Sequence, residues 1–373
     1  MRVFPAPRTM WKDYKTFTDG SNFWRDQYLL PRWAANNMAV VNRGQTHNGY
    51  TLQRRLGDAC WLTKHPVTGE YLTVKFLSRG PGQGNELKMR ENLRKCSSPF
   101  IPKLRDHFRI RHHLAEEDSR YKGIQFEAIV YRTTGTDLRR ESETRESSSS
   151  PPSLGRRVRR IQQVIKAVAE LHNLGVVHGD LQPGNIALAP PRREVLERLL
   201  LEQKPRECLI ARVDGSPTPR NLPERVTEPE NIGFSDGNIQ LLDFEFSFRP
   251  KPGAAYGKES FAIGTPLPPE LIGPNKTTTE PFKVDSWHLG QLIYFILVDG
   301  CSIFRPGLWP RDDDIRDAYE QSLTDLKCGR DEGMNELPAE IKTAFAPAIG
   351  NLLVEDPRLR LSVQDLERSG TFM

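Results

Sequence analysis

Three oxygen-bearing side chains in two short motifs have the types and spacing needed for phosphoryl transfer. Asp180 and Asn185 lie five positions apart in HGDLQPGN at residues 178–185, and Asp243 lies in LDFE at residues 242–245. The Asp180 carboxylate can orient a hydroxyl and accept its proton. Asn185 and Asp243 can supply oxygen ligands to a Mg²⁺ ion that bridges the phosphates of ATP. The two motifs therefore predict an ATP- and Mg²⁺-dependent phosphotransfer site.

Apolar segments next to both motifs predict the elements that hold them. Residues 175–177 and 239–242 are short apolar runs, which are typical of buried strands whose ends present polar groups on rigid backbone. Apolar residues at helical spacing over 158–171 predict a long helix that leads to the first motif. Residues 287–298 predict a second buried helix, so we expect this part of the chain to be mainly helical.

The preceding part of the chain predicts a sheet that carries a buried lysine. Residues 52–57, 70–77 and 124–131 are expected strands, with a turn at 66–69 and a helix over about 85–95. Lys75 lies in an apolar strand, and an unpaired buried charge is costly, so it requires a carboxylate partner. Glu86 is the first choice for that partner and Glu91 is the second.

Composition restricts the class of protein. The 373 residues carry a net charge of +5, and 29 prolines with 28 glycines indicate long, partly disordered connections. The five cysteines are scattered without CxxC spacing, which favours reduced thiols over zinc sites or disulfides. There is no apolar run of membrane-spanning length, no signal-peptide pattern and no basic face interleaved with aromatic residues. We therefore expect an intracellular protein, in the cytoplasm or nucleus, that contacts neither membrane nor nucleic acid.

From Tyr50 to Thr371 the chain resembles a eukaryotic protein kinase domain. After the two motifs come GTPLPPE at 264–270, DSWHLG at 285–290 and DPRLR at 356–360, in the order of that family. The resemblance implies an α+β bilobal fold with a small β-rich N-lobe and a larger, mainly helical C-lobe. It implies an extension over 1–47, the N-lobe over 48–135, and the C-lobe over 136–373 with an insert at about 190–234.

The same resemblance assigns roles to individual residues. Asp180 would be the catalytic base, and Asn185 and Asp243 the Mg²⁺ ligands. Lys75, paired with Glu86, would contact the α- and β-phosphates of ATP, and Gly57 would belong to the nucleotide loop. Arg360 is expected to form an ion pair with Glu270.

Within the family, the chain is most similar to short fungal serine/arginine protein kinases. The long insert, with RVDG at 212–215 and NLP at 221–223, and the absence of arginine at 179 carry this likeness. It implies a protein serine/threonine kinase acting on basic, Ser/Arg-rich substrates. The acidic run at 312–314 is a candidate docking site, although it equally suits the start of a helix over 315–323.

Four departures from the family pattern leave two other interpretations open. The nucleotide loop at 56–62 keeps one glycine; Gly179 replaces an arginine, Gln182 a lysine, and Glu245 a glycine. A weakly active pseudokinase scaffold would tolerate these changes. A small-molecule phosphotransferase of the aminoglycoside or choline kinase type shares the core motifs, but that group lacks the segment at 264–270 and the Arg360 motif.

Overall fold

The computed structural model describes eleven stretches of the chain, and its described residues form two compact units. These stretches are residues 14–18, 27–31, 41–57, 59–77, 85–111, 125–145, 151–209, 211–212, 225–262, 266–304 and 312–370. The first unit draws on residues 1–87, 103–135 and 190–235, and the second on 88–102, 136–189 and 236–373.

Strands dominate the first unit, and helices dominate the second. The strands are β1 (Tyr14–Thr18), β2 (Gln27–Pro31), β3 (Thr46–His47), β4 (Tyr50–Arg55), β5 (Cys60–Lys64), β6 (Tyr71–Phe76), β7 (Leu104–Arg111), β8 (Gln125–Arg132), β9 (Ile186–Ala189), β10 (Glu207–Leu209), β11 (Ala211–Arg212), β12 (Arg225–Thr227), β13 (Ser235–Leu241), β14 (Tyr256–Gly257) and β15 (Thr277–Thr278). The helices are α1 (Asn85–Asn92), α2 (Leu138–Glu143), α3 (Leu154–Asn173), α4 (Arg193–Glu202), α5 (Pro281–Leu297), α6 (Asp312–Lys327), α7 (Glu332–Asn335), α8 (Ala339–Leu352) and α9 (Val363–Arg368). This mixture is compatible with the α+β class.

A six-stranded antiparallel sheet forms the centre of the first unit, in the order β3-β4-β5-β6-β8-β7. Strands β4, β6 and β8 confirm the strands predicted there. Trp61, Val74 and Val130 are fully buried in its core, which excludes water from one face of the sheet. The predicted turn at 66–69 joins β5 to β6, where the His65 ring accepts backbone N–H groups of Val67 and Thr68.

The insert packs with the first unit, whereas the sequence placed it in the C-lobe. Leu196 of α4 is buried against Leu62 of β5, and this apolar contact holds the insert helix on the sheet. Arg54 of β4 is fully buried and forms an ion pair with Glu230, at 3.2 Å between Nε and Oε2. Its Nη2 also donates to backbone carbonyls at the end of α4. The backbone of the insert reaches the N-terminal extension as well, since β11 pairs with β2.

Helices α3 and α5 form the core of the second unit. Helix α3 confirms the predicted helix and begins at Leu154 after Ser153, whose hydroxyl accepts the Arg156 N–H as an N-cap. Helix α5 confirms the second predicted helix and is buried along most of its length, with Trp287 and Ile293 inaccessible to solvent. Among the described residues, no helix combines the length and apolarity needed to cross a bilayer.

Candidate active site

The segment between α3 and β9 brings Asp180 and Asn185 into direct contact. A 3₁₀ turn at Pro183–Asn185 folds the chain back, so that Asn185 Nδ2 donates to Asp180 Oδ2 at 2.6 Å and to the Asp180 carbonyl at 2.9 Å. Gln182 Nε2 donates to both carboxylate oxygens of Asp180, at 2.8 and 2.9 Å. Since its nitrogen faces Asp180, Asn185 retains Oδ1 as the atom able to bind a metal.

Burial and hydrogen bonding act on the Asp180 carboxylate in opposite directions. Burial raises its pKa above the ordinary value, while the hydrogen bond from Gln182 and the nearby His178 oppose the rise. The charge of Asp243 adds to the rise, which shows that the two carboxylates interact. A carboxyl with a raised pKa is a better proton acceptor than an exposed aspartate, as a general base requires.

Two hydrogen bonds to Leu242 place Asp243 beside this loop. The Leu242 N–H donates to the Asn185 carbonyl at 2.8 Å, and the His178 ring Nε2 lies 3.0 Å from the Leu242 carbonyl oxygen. Asp243 itself has a φ of 56°, in the left-handed region that residues other than glycine rarely adopt. Such strain persists where the surroundings impose it, and functional sites are common locations. The structure therefore groups Asp180, Asn185 and Asp243.

The fully buried carboxylate of Asp285, near the start of α5, accepts hydrogen bonds from the loop that carries Asp180. Its Oδ2 accepts the His178 N–H at 2.7 Å and lies 2.9 Å from His172 Nε2, while Oδ1 accepts the Gly179 N–H at 3.0 Å. Although burial alone would raise the pKa of Asp285, the His172 hydrogen bond and charge, with the His178 contacts, hold it below the ordinary value. The sequence marked Asp285 only as part of the DSWHLG motif at 285–290, because its partners lie more than a hundred positions away.

Gly179 occupies a position that excludes any side chain. Its φ is +78°, and a Cβ built there would lie 2.5 Å from the backbone carbonyl oxygen of Phe246. Because that neighbour is backbone, it has no rotamer through which to move away. The arginine expected from the family pattern therefore cannot be accommodated at this position without displacing the chain.

Phe244 connects the loop to α1 through two ring contacts. Its ring centroid lies 5.2 Å from that of His178, and the Arg90 guanidinium carbon lies 5.0 Å from the Phe244 centroid. Arg90 is buried, and its Nη1 donates to the Pro102 carbonyl at 3.2 Å. A guanidinium over a desolvated aromatic face gives a favourable cation–π contact. Nothing in the sequence pattern indicated this role for Arg90.

In the first unit, Lys75 forms the expected ion pair with Glu86. Lys75 Nζ lies 2.6 Å from Glu86 Oε2, and the Glu86 side chain is only 2% exposed. Glu91, the second choice, is exposed. An ion pair with a buried glutamate fixes the ammonium group of Lys75 at one position, as phosphate contact would require.

Gly57 lies in a short connection between β4 and β5 instead of a long glycine-rich segment. Only residues 56–59 separate β4 from β5, and the Gly57 N–H points to the Cys60 carbonyl at 3.3 Å. With few backbone N–H groups in this connection, its capacity to surround phosphate oxygens is small.

Arg360 and Glu270 form the predicted bidentate ion pair. Both bonds from the Arg360 guanidinium to the Glu270 carboxylate measure 2.8 Å, and Arg360 is buried with its guanidinium 5.1 Å from the Trp287 ring centroid. Arg360 also donates to the backbone carbonyls of Lys283 and Val354. This pair ties residues 269–271 to α5 and to the turn before α9.

Several features singled out in the sequence lie outside the described residues. Residue 58 of the nucleotide loop, residues 264–265, 213–215 and 221–223, and the serine-rich residues 146–150 belong to this set. Helix α6 begins at Asp312, but the side chains of 312–314 are also outside it, so the docking role of that acidic run stays a prediction.

The oxygen donors of Asn185 and Asp243 suit a magnesium ion that also binds water and phosphate better than a metal ion held only by protein side chains. Within the described ranges, no group of three or more His, Cys, Asp or Glu side chains could hold a metal ion. Mg²⁺ commonly takes one or two protein oxygens and completes its shell with water and phosphate. Asn185 Oδ1 and the Asp243 carboxylate are donors of that kind.

Comparison with known proteins does not assign the chain to a family. No protein-family model matches it, and no curated protein matches it significantly. The arguments for function therefore begin from the paired Asp180 and Asn185, the adjacent Asp243 and the Lys75–Glu86 ion pair.

Proposed function

We propose that the chain is a protein serine/threonine kinase with a bilobal kinase fold that uses ATP and Mg²⁺. The observation that carries this proposal is the buried Asp180 carboxylate, hydrogen-bonded to Asn185 and placed next to Asp243. One proton acceptor and two metal-binding oxygens in a single cluster are the groups that phosphoryl transfer requires.

Each group has a defined task in the proposed reaction. Asp180 would orient the substrate hydroxyl and accept its proton as the oxygen attacks the γ-phosphorus, while the bond to the β–γ bridging oxygen breaks and ADP leaves with the electron pair. Mg²⁺, held by Asn185 and Asp243, would neutralise charge on the phosphates. Lys75, fixed by Glu86, would position the α- and β-phosphates.

The Glu270–Arg360 ion pair favours a protein substrate over a small molecule. In the kinase family that the chain resembles, the corresponding pair stabilises the segment that holds the substrate peptide, and small-molecule phosphotransferases with the same core motifs lack it. The pair is buried and bidentate here, so it holds that segment firmly. Basic, Ser/Arg-rich proteins of the cytoplasm or nucleus are the substrate class that the resemblance suggests.

A pseudokinase scaffold is the second candidate, and the short β4–β5 connection is the observation that favours it. A connection of four residues with a single glycine offers few backbone donors to ATP. Such a protein would bind partners through a kinase-shaped surface with little turnover.

Phosphate transfer from radiolabelled ATP with Mg²⁺ distinguishes the candidates. Wild type, Asp180→Ala and the control Asp236→Asn would each be offered a Ser/Arg-rich peptide, a generic basic protein and a set of small amino alcohols. Asp236 belongs to the same unit, is 70% exposed and pairs only with the surface residue Arg156 among the described residues.

The kinase proposal expects transfer to peptide or protein that persists in Asp236→Asn and falls by at least about a thousandfold in Asp180→Ala, as expected when a catalytic base is removed. Transfer to the amino alcohols alone would indicate the small-molecule phosphotransferase. If no acceptor is phosphorylated although circular dichroism shows that the protein is folded, the result would favour the pseudokinase scaffold.

A further inference from the structure

Arg139 of α2 contacts the catalytic loop through Gln182. Its Nη2 donates to Gln182 Oε1, on the side of the amide opposite Asp180. The guanidinium lies beside Gly184, where an added Cβ would be 3.7 Å from Arg139 Cζ, an ordinary van der Waals distance. Arg139 is exposed and belongs to the same unit as the loop, so its side chain is available for this contact without burial of its charge.

The Gln182 amide performs its role in only one of two orientations. With Nε2 toward Asp180, the amide donates to both carboxylate oxygens. Rotation by 180° would bring Oε1 against the carboxylate and Nε2 against the guanidinium, which replaces attractive contacts with two repulsive ones. Without Arg139, only the hydrogen bonds to Asp180 would favour one orientation of the Gln182 amide over the other.

We propose that Arg139 is a positioning residue that fixes the Gln182 amide and thereby holds the Asp180 carboxylate in its working orientation. Arg139 also brings a positive charge to a loop that has glutamine where the kinase pattern has lysine. The charge polarises the amide, so that Nε2 becomes a stronger donor to Asp180. The positional role follows from the contacts themselves, whereas its effect on turnover rests on the proposed kinase function.

Kinetics of four single variants and one double variant test the effect on turnover. Arg139→Ala should lower kcat about tenfold with KM changed less than about twofold, since a charge-assisted hydrogen bond that orients the base is lost while substrate binding groups remain. Arg139→Lys should recover most of the rate. Arg156→Ala, which removes another exposed arginine with an acidic partner in the same unit, should match wild type.

The fourth variant, Gln182→Lys, supplies the sharpest comparison when Arg139→Ala is added to it. A lysine ammonium donates in every rotation and requires no partner to orient it, so Arg139→Ala should change kcat by less than about twofold in that background. An equal loss of kcat in the wild-type and Gln182→Lys backgrounds would overturn the proposal, as would an Arg139→Ala variant with wild-type kcat.

A spectroscopic readout separates this proposal from the kinase assignment. In protein labelled with ¹⁵N-glutamine, the Gln182 side-chain amide pair, identified by its loss in Gln182→Glu, should shift or broaden in Arg139→Ala and stay in place in Arg156→Ala. Unchanged Gln182 signals in Arg139→Ala would refute the positioning role whatever the kinetics. Shifted signals in a protein without phosphotransfer would support the positioning role and reject the kinase.

Discussion

His288, at the centre of α5, should make the second unit sensitive to mild acid. Its side chain is fully buried, and neither ring nitrogen finds a hydrogen-bond partner among the described residues. Its pKa is lowered from 6.5 to about 4, mainly by burial; the charge of Asp285 opposes this, and the charges of Arg360 and His178 add to it. His288 is therefore neutral in the folded chain at neutral pH.

The sign of the pH effect follows from the order of protonation. As the pH falls through about 6.5, the unfolded chain protonates His288 first, because the folded-state pKa is lower. Stability is therefore lost between about pH 6.5 and 4, and is fully present above that range. Integration from pH 7 to 5 with these two pKa values gives a loss of about 2 kcal/mol in the free energy of unfolding.

Urea unfolding at pH 7 and pH 5 measures this loss in wild type and in His288→Leu. The variant should lose about 2 kcal/mol less than wild type over this interval, since leucine does not titrate and fills a similar volume. His107→Leu, at an exposed histidine of the other unit, should retain the wild-type pH dependence.

Two results would refute the reasoning about His288. One is an NMR titration in which the His288 ring of the folded protein protonates near pH 6.5, which would mean that the interior does not depress its pKa. The other is a His288→Leu variant whose loss of stability from pH 7 to 5 equals that of wild type.

Three further substitutions test the contacts around the site and the insert. Gly179→Ala should lower the free energy of unfolding by about 2–4 kcal/mol, because it forces an alanine into the left-handed region and against a backbone carbonyl oxygen. Thermal unfolding measures the loss, with Gly155→Ala as the control, since a Cβ at Gly155 would meet open space. Arg360→Met should lower the free energy of unfolding by about 3–5 kcal/mol, measured by urea titration. Glu270→Gln should lower it less, because Arg360 keeps its hydrogen bonds to backbone carbonyls in that variant. Equal losses in the two variants would contradict this. Arg54→Met should expose the insert to limited proteolysis, and an unchanged cleavage pattern would show that the buried ion pair does not anchor it.

The features that the sequence predicted well depend on short stretches of chain. Alternating and continuous apolar runs located β4, β6, β8, α3 and α5, because each run buries its own face against a neighbouring element. The Lys75–Glu86 pair was also predictable, since a lysine within an apolar strand requires a carboxylate and few were available nearby.

The features that the sequence did not predict arise from contacts between distant segments. The insert belongs with the first unit because Leu196 meets Leu62, which are 134 positions apart and carry no shared local signal. The steric requirement for glycine at 179 depends on the carbonyl of Phe246, which only the folded chain brings there. The resemblance to the kinase pattern marked Gly179 as a replaced arginine but could not show that the space for an arginine is absent.

Under the kinase proposal, the unusual residues of the loop are consistent with a rearranged site. At Gly179 the missing side chain is excluded by backbone, and the N–H group is bound by the buried carboxylate of Asp285. At Gln182, the Arg139 guanidinium contacts the amide and brings a positive charge to the loop. The buried Asp180 carboxylate also retains the hydrogen bonds from Gln182 and Asn185 that a buried acidic group requires. Under the kinase proposal, Asp180→Asn should abolish transfer. It should also lower the melting temperature, because one of the two oxygens that accept from Gln182 and Asn185 becomes an amide donor. An unchanged melting temperature would show that these hydrogen bonds contribute little to stability.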